Sequence, residues 1–221
     1  MQNVNFAASL RHCRLFDRLS DTEIKAALDL LHTSLRHYEK GEFLHTADAP
    51  LEKFGMVLEG SVGVFIDDPG GNRMLMAQVG AGQTFGEAIC FLRAENPAIY
   101  AIANETCLLL WLSPQELFTA APSLLCRRLE QNFTAMMAER TLAMNDRIQT
   151  LSKLTLRDKI LTYFTFLSKR SGKRHFSVPF DREDMAAYIG VNRSALSREL
   201  SKMKQEGIID FQKNTFWLKQ Q

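Results

Sequence analysis

Apolar and polar positions change their period repeatedly along the chain. From residue 6 to residue 31 they follow a helical period. Phe6 to Phe16 is followed by Leu19, and Ser20 and Glu23 have capping-box spacing ahead of the stripe Ile24, Leu28, Leu31. From Ser34 to Ser113 the period shortens. Runs at 34–38, 42–45, 54–59, 61–67, 73–79, 98–103 and 107–113 alternate or are rich in β-formers. Turn signals separate them, at Lys40-Gly41, Glu59-Gly60, Asp68-Pro69-Gly70-Gly71 and Gly80-Ala81-Gly82. That spacing predicts a β-sandwich or barrel, interrupted by a short helix over 86–92.

After Pro114 and Pro122 the helical period returns. The second proline opens a long helix over about 123–154, in which Leu129, Phe133, Met136, Arg140, Met144 or Ala143, Ile148 and Leu151 recur at three- and four-residue steps. Such a seam is a coiled-coil pattern, and about 30 residues at 1.5 Å each make a rod of about 45 Å. A partner helix from a second copy is the expected occupant of that seam.

Residues 155–169 predict a further helix, followed by the basic loop 168–174 and a strand from His175 to Pro179. The segment Asp181 to Gly207 reads as two helices around a tight turn. Asp181 caps the first, Gly190 breaks it, and Asn192 caps the second. On the second helix Ala195, Leu196, Leu200 and Met203 form an inward stripe, leaving Arg193, Ser194, Ser197, Arg198, Ser201 and Lys202 outward. Arginines and slim polar residues at a helix start are what base reading in a DNA groove requires. Runs at 208–211 and 215–218 flank Lys213-Asn214 as a small hairpin wing.

Charge sharpens this reading. The net +2 of the chain divides into +7 for residues 151–221, with 14 Lys/Arg against 7 Asp/Glu, and −5 for residues 1–150. The basic charge therefore coincides with the helix–turn–helix segment and points to a polyanion partner for that part alone. No apolar run approaches the roughly 18 residues that span a bilayer, and the N-terminus lacks a signal-peptide core, so a cytoplasmic protein is expected, with no membrane partner. Cys13, Cys90, Cys107 and Cys126 are scattered without metal-ligand or disulfide spacing, and no metal site is expected. Sequence motifs of hydrolases, metalloproteases, P-loop and dinucleotide-binding enzymes are absent from the sequence, so no enzyme activity is expected.

The order of these segments closely resembles the Crp/Fnr family of bacterial transcription regulators over nearly the whole chain. The resemblance rests on Tyr38-x-x-Gly41, Val57-Leu58-x-Gly60-x-Val62-x-Val64, Gly82-x-x-Phe85-Gly86-Glu87 and the motif at 181–207. It implies an α+β chain: an effector-sensing double-stranded β-helix (jelly-roll, cyclic-nucleotide-binding-like) domain at 1–121, a dimerisation helix at 122–154 and a winged helix–turn–helix at 155–221. It further implies a homodimer that binds promoter DNA, contacts RNA polymerase, and answers to an effector in the β-roll.

The family's effector pocket maps onto Phe85, Gly86, Glu87, Pro97, Ala98, Tyr100 and Met144. Pro97 and Ala98 stand where relatives that bind cyclic AMP carry an Arg-Ser or Arg-Thr pair for the phosphate. Met144 and Asn145 stand where those relatives carry a threonine and a serine. Both departures argue against cyclic AMP, and Glu87 is left as either a ribose contact or a loop-structuring residue. Cys13 alone precedes the roll, which argues against the iron–sulfur cluster of the oxygen-sensing branch. Haem stays open as a cofactor, with His12, Cys13, His32, His37 or His45 as axial ligand, and so does thiol sensing of nitric oxide or peroxide at Cys13, Cys90 or Cys107. A regulatory module acting on a protein partner is a further alternative, disfavoured by the basic C-terminal segment. For DNA the family pattern places base contacts on Arg193, Ser194, Ser197 and Arg198 behind the Asn192 cap. Lys202, Lys173 and Arg174 are the expected phosphate contacts.

Overall fold

The computed structural model describes residues 7–67, 73–94, 99–119, 121–178 and 180–219. The chain divides into two compact units, residues 1–139 and 140–221, and the boundary falls inside the long helix.

The first unit opens with helices α1 (Ala7–His12) and α2 (Asp21–Leu30), joined by a single 3-10 turn at Arg14–Phe16. The capping box forms as expected: the Ser20 hydroxyl accepts from the Glu23 N–H, and the Glu23 carboxylate accepts from the Ser20 N–H at 2.8 Å. Seven of the strands match the sequence pattern closely: β1 (Ser34–Tyr38), β2 (Phe43–His45), β3 (Phe54–Glu59), β4 (Ser61–Asp67), β5 (Arg73–Gly80), β7 (Ile99–Ala103) and β8 (Cys107–Leu112). The remaining one, β6 (Thr84–Phe85), is two residues long and pairs Gly55 with Phe85. A Cβ on Gly55 would lie 2.4 Å from the Phe85 ring, so only glycine lets that ring cross the strand. Helix α3 (Glu87–Leu92) follows, entered through Gly86 at φ 84°.

These strands form two antiparallel sheets in the orders β1-β8-β3-β6 and β2-β7-β4-β5. Apart from the consecutive pair β4 and β5, neighbours are distant in sequence, which is the jelly-roll connection. Between the sheets pack Val57, Val62, Val79, Phe85, Ala101 and Leu109. The opposite face of β3 and β8 carries Met56, Leu58, Leu108, Leu110 and Leu112, which pack with Leu15 and Phe16 from the N-terminal segment. Strand β8 is buried on both faces, and for that reason Cys107–Leu112 is apolar throughout rather than alternating.

After α4 (Glu116–Thr119) comes α5 (Leu124–Leu151), three residues shorter at its end than the sequence pattern predicts. Here the expected seam is corrected. Leu129, Phe133 and Met136 belong to the first unit's own core. The Phe133 ring lies 6.3 Å from Phe54, 5.8 Å from Phe91 and 5.9 Å from Phe118. Their stripe is filled by the chain itself, so these three side chains are not available to a partner helix. Arg140, Met144, Ile148 and Leu151 are exposed.

In the second unit, α6 (Leu156–Ser171) is capped by Thr155, and α7 (Arg182–Tyr188) and α8 (Arg193–Gln205) are capped by Asp181 and Asn192. Strands β9 (His175–Ser177), β10 (Ile209–Gln212) and β11 (Thr215–Leu218) form a sheet in the order β10-β11-β9. Phe164, Phe176 and Phe216 meet at its centre, with Leu196, Leu200 and Met203 from α8. The end of α5 is tied into this unit by the Arg147 guanidinium over the Tyr188 ring at 4.6 Å and an Asp146–Arg170 pair at 3.0 Å.

Candidate nucleic-acid interface and effector cleft

The turn between α7 and α8 needs Gly190, whose φ of +65° is a conformation that side chains disfavour. Two residues on, Asn192 accepts a 2.8 Å hydrogen bond from the Ser194 N–H and a 2.6 Å bond from the Ser194 hydroxyl. The period of α8 then does what the sequence predicts. Leu196, Leu200 and Met203 are buried, Ala195 is half-buried, and Arg193, Ser194, Ser197, Arg198, Ser201 and Lys202 are exposed on the other side. Arg157 anchors the back of this helix, donating to Glu199 at 2.6 Å and to Glu206 at 2.7 Å. Glu199 of α8 and Glu206 at its C-cap are thus occupied by Arg157, and the outward face keeps its cationic character.

The wing places a second cationic feature. Lys213 sits at φ 52° in the β10–β11 turn, and its carbonyl accepts from Arg182 at 2.8 Å. The Arg182 guanidinium stacks over Phe216 at 4.8 Å and Phe211 at 5.3 Å. Arg182 and Lys213 were not among the residues expected at the interface; the two-residue Lys213-Asn214 turn was the available signal. Lys173 and Arg174 are exposed, but the β9–β11 register pairs His175 with Trp217, and Leu218 donates to the Arg174 carbonyl at 3.0 Å. They therefore lie at the end of the wing sheet away from the Lys213 turn, and the structure does not bring them together with it.

In the β-roll the expected effector residues separate. Phe85 is buried in the inter-sheet core, edge-on to Trp111 at 5.6 Å, so it fills the core rather than lining a free pocket. Glu87 is buried and accepts from the Thr84 hydroxyl, an arrangement that fits its loop-structuring role. Tyr100 faces the wrong way. Strand alternation sends Ala101 and Ala103 into the inter-sheet core, and Tyr100 stacks on Phe65 at 5.6 Å on the opposite face. There its hydroxyl donates to Asp67 at 2.7 Å and accepts from Arg73 at 2.9 Å. Pro97 and Ala98 lie outside the described residues, and Met144 is 60% exposed on the second unit's part of α5. A separate cleft of about 460 Å³ opens between the edge strands β1 and β2, lined among others by Arg36, Tyr38, His45 and Trp111.

Comparison with known proteins agrees with this geometry in both units. Residues 35–121 match the cyclic nucleotide-binding domain family, and residues 158–220 match the Crp-like helix-turn-helix domain family. The chain is 26% identical to the protein named "Probable transcriptional regulator flp" of Lacticaseibacillus casei, over 89% of this chain and 87% of that one. It is 24% identical to the cAMP-activated global transcriptional regulator CRP of Haemophilus influenzae, over 81% of each. The chain belongs to the Crp/Fnr family. Among solved structures of this fold, the c-di-GMP responsive global regulator CLP of Xanthomonas campestris superimposes with a TM-score of 0.67 at 20% identity, over 91% of this chain and all of that one. As a Crp/Fnr protein it is a DNA-binding transcription regulator, not an enzyme. No described helix is long and apolar enough to cross a membrane.

The sensor alternatives can be weighed on this Crp/Fnr fold. Among the described residues no group of three or more His, Cys, Asp or Glu could hold a metal ion. His12 turns a ring nitrogen to the Ala8 carbonyl at 2.6 Å, His32 and His37 are exposed, and Cys13 is packed in the apolar cluster with Leu10, Leu15 and Phe16. His45 is buried and lines the β1–β2 cleft, but none of the other four lines that cleft with it. These residues therefore do not come together as a pair of axial ligands in that cleft. The thiols are equally closed. Burial, with Glu87 nearby, pushes the Cys90 thiol up to about 12. Burial, with Glu105 and Glu42 nearby, pushes Cys107 up to about 11. A thiol that resists ionisation is a poor nucleophile toward oxidants.

Proposed function

We propose that the chain acts as a homodimer that binds promoter DNA through α8, under the control of a small effector held in the β-roll, and that this effector is not cyclic AMP. The observation that carries the reading is the division of α8. Leu196, Leu200 and Met203 are spent on the second unit's core, while Arg193, Ser194, Ser197, Arg198 and Lys202 are exposed together on one face. Arg198 reads a guanine, Lys202 one turn on meets phosphate, and the Arg182-held Lys213 adds a second phosphate contact at the wing. Phosphate contacts by Lys173 and Arg174 are kept as a weaker part of this reading.

A two-fold protein suits the two-fold half-sites of operators. With Leu129, Phe133 and Met136 spent on the first unit's core, the partner seam takes the exposed stripe instead. Leu124, Gln131, Thr134, Ala138, Thr141, Asn145 and Ile148 are all exposed and follow the same three- and four-residue steps, with Arg127 completing the run. RNA polymerase is the partner the family implies, and the cytoplasm is the compartment in which such a regulator works.

Relatives named as cAMP-activated and as c-di-GMP responsive support a nucleotide-sized effector in this domain class. Against cyclic AMP stand Pro97 and Ala98, which offer no guanidinium to a phosphodiester. Selection of bound sequences from random duplex DNA, with sedimentation equilibrium of the free protein, tests the reading. A palindromic logo containing guanine and a dimer are expected. A monomer, or DNA binding without sequence preference, overturns it.

A further inference from the structure

The β1–β2 cleft brings a buried unsatisfied imidazole nitrogen, a phenol and an exposed guanidinium to one place. Arg36 lies on the exposed edge strand β1 and lines the cleft, and among the described residues its guanidinium has no hydrogen bond or ion pair. His45 is buried, and its Nε2 has no hydrogen-bond partner. Tyr38 is buried too. Its hydroxyl accepts from the Trp111 indole N–H at 3.1 Å, and among the described residues its own proton has no acceptor. Buried polar groups in folded proteins are ordinarily satisfied, so the His45 Nε2 calls for a partner, and the Arg36 guanidinium and Tyr38 proton stand at the same cleft to share it.

The chemistry of that partner follows from the groups present. A guanidinium fork matches a carboxylate with two parallel bonds, and a phenol proton and an imidazole N–H are further donors to the same oxygens. The walls are flat, since Trp111, Tyr38 and Phe43 all line the cleft. Lys53 also lines it but spends its ammonium on the His32 carbonyl at 2.8 Å. Glu52 on the lining adds a negative charge that disfavours a dianion such as phosphate. A volume of about 460 Å³ suits a ligand of one or two rings.

We propose that this cleft is a binding site for a small aromatic monocarboxylate, which Arg36 pairs and the Trp111 and Tyr38 rings flank. The site lies wholly within the first unit and rests on no part of the DNA-binding reading.

The chain carries two tryptophans, so a full-length Trp217→Phe variant leaves Trp111 as the reporter at the cleft. Phenylacetate is titrated into this protein with fluorescence and calorimetry, beside its neutral match phenylacetamide and inorganic phosphate. The expected result is a saturable response to phenylacetate, about tenfold or more weaker for the amide and for phosphate, and reduced by a similar factor in Arg36→Gln and Tyr38→Phe. Arg36 is exposed, so its substitution leaves the fold intact and the comparison meaningful. The proposal fails if millimolar phenylacetate gives no saturable response. It fails equally if the amide or phosphate binds as well, or if Arg36→Gln binds phenylacetate as tightly as the parent.

Discussion

The Asn192 side chain accepts from both the backbone N–H and the hydroxyl of Ser194, which ties the cap of the recognition helix to one of its outward residues. The Ser194 proton is therefore committed, and toward a base Ser194 can act only as an acceptor. Ser194→Ala should change operator affinity little. Arg198→Ala should cost about 1–3 kcal/mol and relax one base position. Asn192→Ala should lose about 1 kcal/mol of stability through the missing cap. Fluorescence anisotropy on a selected operator, a binding-site logo and thermal unfolding check the three. An unchanged logo for Arg198→Ala removes its role as a base reader.

Two substitutions on α5 separate core from seam. Phe133→Ala removes a ring from the cluster of Phe54, Phe91 and Phe118, and should destabilise the first unit by about 3–5 kcal/mol. Ile148 is 57% exposed, so Ile148→Glu should leave the folded chain intact while dissociating the dimer proposed above. Calorimetry and sedimentation equilibrium on both variants check this. Dissociation of a fully folded Phe133→Ala protein would return the seam to the buried stripe.

The contrast on α5 marks where sequence reasoning stops. A three- and four-residue repeat says that a helix face is covered, but not by what. Phe133 is covered by Phe54 of β3, Phe91 of α3 and Phe118 of α4, and Met136 by Thr84 of β6, so the cover comes from several earlier segments of the chain. Tyr100 fails for a related reason: placing it near the effector ignored that Ala101 and Ala103 take the inward positions of β7, which leaves Tyr100 outward. Strand β6 is too short to carry a period at all. By contrast, the caps at Ser20, Asp181 and Asn192 and the strands between Ser34 and Leu112 are set by local chemistry, and the sequence alone places them within a residue or two. The recognition face of α8 was legible on the same ground, whereas Arg182 enters the wing through a contact 31 residues away in sequence.

Thiol sensing can be tested on the two shifted cysteines. With Cys90 pushed up to about 12 and Cys107 to about 11, almost none of either is thiolate near neutral pH. Alkylation by iodoacetamide should be slow in the native protein and fast in urea, read by intact-mass spectrometry. Peroxide at stoichiometric level should leave operator affinity unchanged. A peroxide response abolished by Cys90→Ser or Cys107→Ser would restore the redox alternative.

The Arg157 bridge behind the recognition helix sets a pH dependence of known sign. Hydrogen bonds from Arg157 hold the Glu206 carboxyl below the usual glutamate range. A carboxyl depressed in the folded state stabilises the protein fully above its unfolded value of about 4.3, and that stability is lost as pH falls through the folded value. Arg157→Gln removes the donor and leaves every other carboxylate in place. At neutral pH the variant should therefore melt below the parent. The gap between the two melting temperatures should close as the pH drops below about 4.3 and Glu206 takes up its proton. Because Arg157 also holds Glu199, the same variant should loosen α8 and weaken operator binding at neutral pH. A melting-temperature gap that stays constant from pH 7 to pH 3 would show that Arg157 acts through packing of its aliphatic stem rather than through its charge.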